Sequence, residues 1–172
     1  MSLSERFNFE RYKASRHKRD KKHILIPLFL ATGTMLLLVF ILSIVNSNLM
    51  ANGDSTIIFT SFAASSFIIF MTPYSKSANM RKFVLSYIIA GIVGEIGYLS
   101  LPYVGFYGAV TVVLFSMSLI LFETNNVHAP AMGAALAFVI FHVSYAGLLV
   151  LVSGIIVLVA IKICAEKLEL EP

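Results

Sequence analysis

Charged residues and cysteines are both scarce in this chain. Only 13% of the 172 residues are Asp, Glu, Lys or Arg, and Cys164 is the single cysteine. One thiol excludes an internal disulfide, and four histidines scattered over different segments are poor material for a metal site. The sequence also lacks a glycine-rich phosphate loop and an HExxH zinc motif. We therefore expect no enzyme activity of the soluble type, no metal and no cofactor.

Hydrophobic residues, in contrast, make up 58% of the chain, and the mean hydropathy is +0.87. A soluble core of this size cannot bury so much apolar surface, so the composition predicts an integral membrane protein. Four apolar runs approach the roughly 20 residues that cross a bilayer as helix. These predicted full-length spans are residues 24–45, 83–99, 105–122 and 146–163. The first run is too long for a signal peptide and no small-x-small site follows it, which predicts that it is retained.

Basic residues predict how the chain is oriented. The head, residues 1–23, carries eight basic and three acidic residues, a net +5, and more Lys and Arg lie at 76–82 and 162–167. Loops 46–56 and 100–104 have none. Because Lys and Arg collect in cytoplasmic loops, we expect a cytoplasmic head (1–23), a transmembrane domain (24–163) and a cytoplasmic tail (164–172) in the cell membrane. Next to a span, the basic head indicates orientation and anionic lipid rather than nucleic acid.

With both termini inside, the shorter apolar segments 57–71 and 131–145 must also cross. The expected fold is all-α, a polytopic membrane protein with four full-length transmembrane helices and two short broken helices. Uninterrupted helix is expected to begin at Phe62, capped by Ser61, and at Pro130 in the first helical position. Ten to twelve residues at about 1.5 Å each give roughly 15 to 18 Å, half of a hydrocarbon core of about 30 Å. Residues 54–60 and 125–129 would then enter as non-helical backbone lining a protein interior.

A long, short, long pattern thus occurs twice in opposite directions, as in a 3+3 inverted repeat whose half-helices meet at a substrate site. Helix N-termini offer free N–H groups and partial positive charge, so such a site prefers an anion. The alternative is that Ser61, Ser65 and Ser66 only cap helices and let them approach closely.

Two stretches resemble a known family. TSFAASSFIIFMTPYSKSANMRK (60–82) and TNNVHAPAMGAAL (124–136) are similar to the SFGAS…APxSPxAxPRN and TxTxHPPAGATAL stretches of HPP family membrane proteins. The resemblance implies a compact membrane protein with four long spans and, as in plant chloroplast and cyanobacterial members, nitrite transport. This chain differs from the family pattern at Asn126 (threonine), Ala129 (the first proline), Met132 (glycine), Lys82 (asparagine) and Tyr87 (histidine).

The candidate residues fall into two groups. Substrate-binding candidates at the short helices are Ser61, Ala63, Ala64, Ser65, Asn126, His128, Pro130 and Ala131. Pathway candidates are Arg81, Lys82, Tyr87 and Glu95. The structural alternatives are that His128 fixes its loop, that Arg81 and Lys82 only set orientation, and that Glu95 is exposed to water near the outer interface. Glu95 also lies on a stripe of Gly91, Gly94 and Gly97, which predicts close packing of another helix.

Two functional hypotheses follow. The first is a transporter or channel for a small monovalent anion, nitrite above others, with paired half-helix N-termini as its binding site. The second is a non-transporting membrane subunit that packs within a larger complex. The small size favours a homo-oligomer or a membrane complex in both cases. A polar, water-accessible cavity joining Ser61 to His128 favours the first hypothesis, and a dry, tightly packed centre favours the second.

Overall fold

The structure, a computed structural model, describes residues 21–45, 56–142 and 145–168. Within these ranges the regular structure is helical and includes no strand, which confirms the all-α prediction. The helices are α1 (Lys21–Val45), α2 (Thr56–Met71), α3 (Met80–Glu123), α4 (Ala129–Ile140) and α5 (Tyr145–Lys167), with a 3₁₀ turn at Lys76–Ala78. The predicted loop 46–56 and the outer parts of the head and tail lie almost wholly outside the described residues.

Helix α3 consists of two helical arms that meet at Gly105. Gly105 has φ 69° and ψ 174°, a non-helical conformation with positive φ that glycine adopts without strain. Gly97 lies against the side chain of Val113, sixteen positions later, whereas a straight helix would separate them by roughly 24 Å. The chain therefore reverses at Gly105. The loop predicted at 100–104 is helical, and the chain turns at Gly105 instead, with both arms helical up to that residue.

Among the described residues, two helices are long and apolar enough to cross a membrane, Met80–Glu123 and Gly147–Lys167. Shorter apolar helices cover Leu25–Phe40, Thr60–Met71 and Ala129–Ile140. The outer surface of the described part is rich in large apolar side chains. Phe29 is 73% exposed, Tyr103 87% and Phe122 76%. Such a surface is expected where lipid, and not water, surrounds the protein.

Helix α2 is longer than expected. It begins at Thr56 and has 16 residues, roughly 24 Å at about 1.5 Å each, so Ser61 lies in its second turn. The predictions that Ser61 caps this helix and that residues 56–60 are irregular were therefore wrong. Ile58 is fully buried, and its burial stabilises helix in a β-branched stretch of modest helix propensity.

Helix α4 agrees better with expectation. Its 12 residues begin at Ala129, and Pro130 follows within the first turn, one residue later than predicted. Residues Asn126 to His128 precede it as irregular backbone, and Asn125 has φ 53°.

The two short helices run antiparallel, side by side. Gly133 of α4 faces Ser61 of α2, and His128 at the start of α4 is hydrogen-bonded to Ser65. The N-terminus of α4 therefore lies beside the middle of α2, and the N-terminus of α2 lies beside the later part of α4. The half-helix prediction required the two N-termini to converge on one point, and they do not.

Small residues bring the remaining helices together, which confirms the expected role of the glycine stripe. A Cβ atom on Gly94 would lie 2.9 Å from the carbonyl oxygen of Ala135, so α3 and α4 are in backbone contact. Gly91 lies against Leu148 and Leu151 of α5. Such close approach replaces the hydrophobic effect as the source of helix association in lipid.

Candidate functional site

His128 is fully buried just before α4. Its Nδ1 is 3.0 Å from the backbone carbonyl oxygen of Ser77, and its Nε2 is 2.8 Å from the hydroxyl of Ser65. A carbonyl oxygen only accepts, so Nδ1 carries hydrogen and donates it to Ser77. In the neutral imidazole, Nε2 is then the acceptor, and the Ser65 hydroxyl donates to it.

Tyr87 of α3 extends this contact. Its hydroxyl is 2.8 Å from that of Ser65 and 2.5 Å from that of Ser61. Ser61, Tyr87, Ser65 and His128 thus form one continuous series of hydrogen bonds, which we call the hydroxyl chain. Its members come from α2, from α3 and from the segment that leads into α4.

Aromatic rings enclose the hydroxyl chain. Phe62 stacks on Tyr87 with ring centroids 4.5 Å apart, and Phe83 packs with Tyr87 at 4.8 Å and edge-on to His128 at 5.6 Å. Gly154 of α5 makes room for Phe62, because a Cβ atom there would lie 2.5 Å from the ring. In such apolar surroundings hydrogen bonds are strengthened, and an unpaired polar group is costly.

Helical spacing explains why these groups meet. Ser61 and Ser65 are four residues apart on α2, and Phe83 and Tyr87 are four residues apart on α3, so each pair shares one helix face. The turn between the helices is held by its own side chains. The Ser75 hydroxyl accepts from the N–H of Ala78. In this turn the Ser77 carbonyl oxygen lies within hydrogen-bond distance of His128.

The structure brings four predicted residues together: Ser61, Ser65 and His128 from the binding group and Tyr87 from the pathway group. The other binding candidates take no part in the hydroxyl chain. Ala63 and Ala64 are exposed on another face of α2, and Pro130 is half-buried. Ala131 is buried, and its backbone N–H donates to the His128 carbonyl oxygen. Asn126 contributes its backbone carbonyl, which accepts from Ser86 at 2.5 Å.

The remaining pathway candidates lie away from this centre. Arg81 is exposed at the start of α3, and its backbone N–H and that of Lys82 are capped by the side chain of Asn79. Glu95 is two turns beyond Tyr87 and half-buried. Within the described residues, no three His, Cys, Asp or Glu side chains come close enough to hold a metal ion.

Two participants were missed by the sequence analysis. Ser86 joins α3 to the segment before α4 by a hydrogen bond. Its position beside Tyr87 in an apolar span was the feature of the sequence that could have identified it. The Ser77 carbonyl had no sequence signal, because a backbone group acts there through the shape of the 3₁₀ turn.

Comparison with known proteins assigns the family. No curated protein and no solved structure matches the chain. The family model described as HPP, transmembrane region, matches residues 19–171, which is nearly the whole sequence and includes the helices α1 to α5 described above. The resemblance seen in the two polar stretches is thereby confirmed, and this chain belongs to the HPP transmembrane family.

Proposed function

We propose that this protein is a membrane transporter or channel for a small monovalent anion, with nitrite as the preferred substrate. The chain crosses the membrane six times. The full-length crossings are α1, the two arms of α3 and α5, and the short ones are α2 and α4. The hairpin at Gly105 supports this count, because it divides α3 into one arm for each half of a 3+3 inverted repeat. The antiparallel contact of α2 with α4 supports opposite directions for the two halves.

The hydroxyl chain is the observation that carries this proposal. Polar side chains are expensive at membrane depth and usually mark a substrate or ion pathway. Here three hydroxyls and an imidazole are concentrated in the contact between the two short helices and are surrounded by aromatic rings. Hydroxyl and imidazole N–H groups are the donors that a small anion needs when it leaves water.

The character of these donors favours a small monovalent ion. None of the four groups carries a fixed positive charge, and the described carboxylate and guanidinium groups on α3 lie outside the hydroxyl chain. A divalent anion loses more solvation than neutral donors replace, so we expect it to be excluded. We propose nitrite because plant chloroplast and cyanobacterial members of the HPP family transport it.

The same charge pattern supports an orientation with both termini in the cytoplasm of a cell whose inner membrane holds the protein. Lys76, Arg81 and Lys82 follow α2, and Lys162 and Lys167 lie at the end of α5. Surrounding lipid covers the exposed apolar side chains, and a second copy or a larger complex is the expected protein partner.

A non-transporting membrane subunit is the second candidate. The tight packing of the site favours it, because Ser65, Tyr87 and His128 are each fully buried and Phe62 stacks directly on Tyr87. In this alternative the hydroxyl chain only fixes the contact between α2, α3 and α4.

Uptake of nitrite into liposomes separates the two candidates. We expect protein-dependent, saturable influx compared with protein-free liposomes at about pH 8, where little nitrous acid leaks, and no influx of sulfate. Ser61→Leu should reduce influx far more than it reduces folded yield. Ala63→Leu is the matched control, because Ala63 is exposed on another face of the same helix. If nitrite, nitrate, formate and chloride all fail to move under any gradient, the subunit hypothesis is the better account.

Labelling tests the six crossings separately. In a Cys164→Ser background, Asn52→Cys and Lys76→Cys should react with an impermeant thiol reagent from opposite sides of the membrane. Reaction from the same side would show that α2 does not cross, and the inverted repeat would then be wrong.

A further inference from the structure

The hydroxyl chain has a direction when its hydrogen atoms are assigned. The Ser77 carbonyl fixes hydrogen on Nδ1 of His128, so Nε2 of the neutral ring accepts from the Ser65 hydroxyl. Ser65 oxygen then accepts from Tyr87, and Tyr87 oxygen accepts from Ser61. Each hydroxyl donates once, and all donations point towards Nε2.

In a second arrangement the hydrogen bonds of His128 and Tyr87 run in the opposite direction. When Nε2 also carries hydrogen, it donates to the Ser65 oxygen, and the Ser65 hydroxyl turns to the backbone carbonyl of Ser61, which is 3.0 Å away. The Tyr87 hydroxyl then donates to the side-chain oxygen of Ser61. Both protonation states of the imidazole therefore leave the His128, Ser65 and Tyr87 donors paired within the protein.

Exposure differs between the two ends of the hydroxyl chain. Ser61 is 6% exposed, whereas Ser65, Tyr87 and His128 are each 0% exposed. At the other end the Ser77 carbonyl accepts a hydrogen bond but cannot pass a proton onward. Within the hydroxyl chain, a proton can therefore reach or leave His128 from the Ser61 end alone.

We propose that His128 is a proton acceptor loaded through Ser61, Tyr87 and Ser65, and that each anion moves together with one proton. This inference rests on the proposed anion transport. A proton from water binds the Ser61 oxygen, and the former Ser61 hydrogen passes to Tyr87. The Tyr87 hydrogen passes to Ser65 and the Ser65 hydrogen to Nε2, so that each O–H bond breaks as the next bond forms. One proton is transferred, the imidazole becomes imidazolium, and no oxidation or reduction takes place.

The surroundings of the ring explain why the anion and the proton travel together. Tyr87 is the titratable group that contacts the ring from α3, while α2 offers the Ser65 hydroxyl and the preceding turn offers a backbone carbonyl. No carboxylate is among these described contacts of the ring. A buried positive charge without a partner is costly, so an imidazolium here is stabilised by a bound anion, and an anion by the imidazolium.

Proteoliposomes test this coupling. With internal pyranine and the membrane potential clamped by potassium and valinomycin, an inward nitrate or nitrite gradient should acidify the interior by one proton per anion. Because the pair carries no net charge, the rate of influx should not respond to an imposed potential. Protein-free liposomes correct for leakage of nitrous acid. Anion influx that is driven by the potential and brings no proton would overturn the inference and leave the proposed transport intact.

Two serines on α2 provide a matched pair of variants. Ser65→Ala interrupts the hydroxyl chain between Tyr87 and His128, and we expect it to reduce proton uptake by about tenfold or more. Ser66→Ala removes an equally buried hydroxyl that donates to Ala31 instead, so it should keep the wild-type ratio of protons to anions. Wild-type coupling in Ser65→Ala would contradict the proposal.

Nuclear magnetic resonance of ¹⁵N-histidine protein in lipid tests the acceptor without transport. Comparison with His128→Gln assigns the ring. At about pH 8 its Nε2 should have the shift of an unprotonated nitrogen, and acidification to about pH 5 in the presence of nitrate should protonate it. An unprotonated Nδ1, or a ring that never takes up a proton, would refute the inference. If no anion moves in liposomes, the proposed function fails, and this spectrum still decides the state of His128.

Discussion

The two short helices, α2 and α4, contribute different kinds of residue to the contact between them. Helix α2 brings three buried hydroxyls, Ser61, Ser65 and Ser66. Helix α4 has a buried face of apolar residues, and its polar contribution is His128, which comes just before it. One helix therefore supplies polar groups along its length, while the other packs closely and positions a single imidazole.

The two short helices also differ in the kind of contact that joins each of them to a neighbouring helix. Helix α4 rests on α3 through backbone contact at Gly94 and through Val139 at Gly97. Helix α2 is joined to α1 by a hydrogen bond from the Ser66 hydroxyl to the Ala31 carbonyl at 3.1 Å. We infer that steric changes should affect the α4 side most, and loss of a single hydroxyl should affect the α2 side least.

The largest effect is expected from Gly94→Ala. The new Cβ atom would lie 2.9 Å from the carbonyl oxygen of Ala135, and backbone atoms cannot rotate away. The free energy of unfolding should fall by about 1 to 3 kcal/mol, measured as a lower Tm in detergent. Gly33→Ala is the control, because no atom lies within 4 Å of its new Cβ. Equal stability of the two variants would show that α3 and α4 are not in backbone contact.

An intermediate effect is expected from Gly154→Ala. Here the new Cβ atom would lie 2.5 Å from the Phe62 ring, and the ring cannot yield freely because it stacks on Tyr87. We expect a loss of about 1 kcal/mol together with reduced anion influx.

The rescue of that variant sharpens the test. Phe62→Leu in the Gly154→Ala background removes the overlap, so the pair should be more stable than the sum of the two single changes predicts. Strict additivity in a double-mutant cycle would mean that α5 does not support the aromatic wall around the hydroxyl chain.

The smallest effect is expected from Ser66→Ala. It removes one hydrogen bond between α2 and α1, and such bonds between helices in membranes contribute about 0.6 kcal/mol on average. A shift in Tm near the limit of detection is therefore the expected result. A loss as large as that of Gly94→Ala would remove the contrast between the two short helices.

The all-α fold and the polar residues of the site could be predicted from the sequence because both depend on local composition. Apolar runs of sufficient length predict helices in lipid, and Ser61, Ser65 and His128 stand out as polar residues in apolar surroundings. It misjudged the start of α2, because tertiary burial of Ile58 outweighs the weak helix propensity of residues 56–60.

The hydrogen bonding of Tyr87 was beyond sequence reasoning for a different reason. Tyr87 follows Ser65 by 22 residues, and their contact depends on how the turn at 72–79 sets α3 against α2. The role of the Ser77 carbonyl depends on the same turn. Backbone geometry of this kind leaves no signature in residue types.

The reversal at Gly105 also sets the rotational phase of the second arm of α3. Both arms stay helical up to this one residue, so little irregular chain is present to absorb a change in length. An inserted residue at this tip would rotate the second arm by about 100° around its own axis. Val113 would then turn away from Gly97, and the segment that delivers His128 to its partners would begin from a different side of the bundle. The number of residues in the turn at Gly105 is thus as strictly constrained as the identity of the residues in the hydroxyl chain.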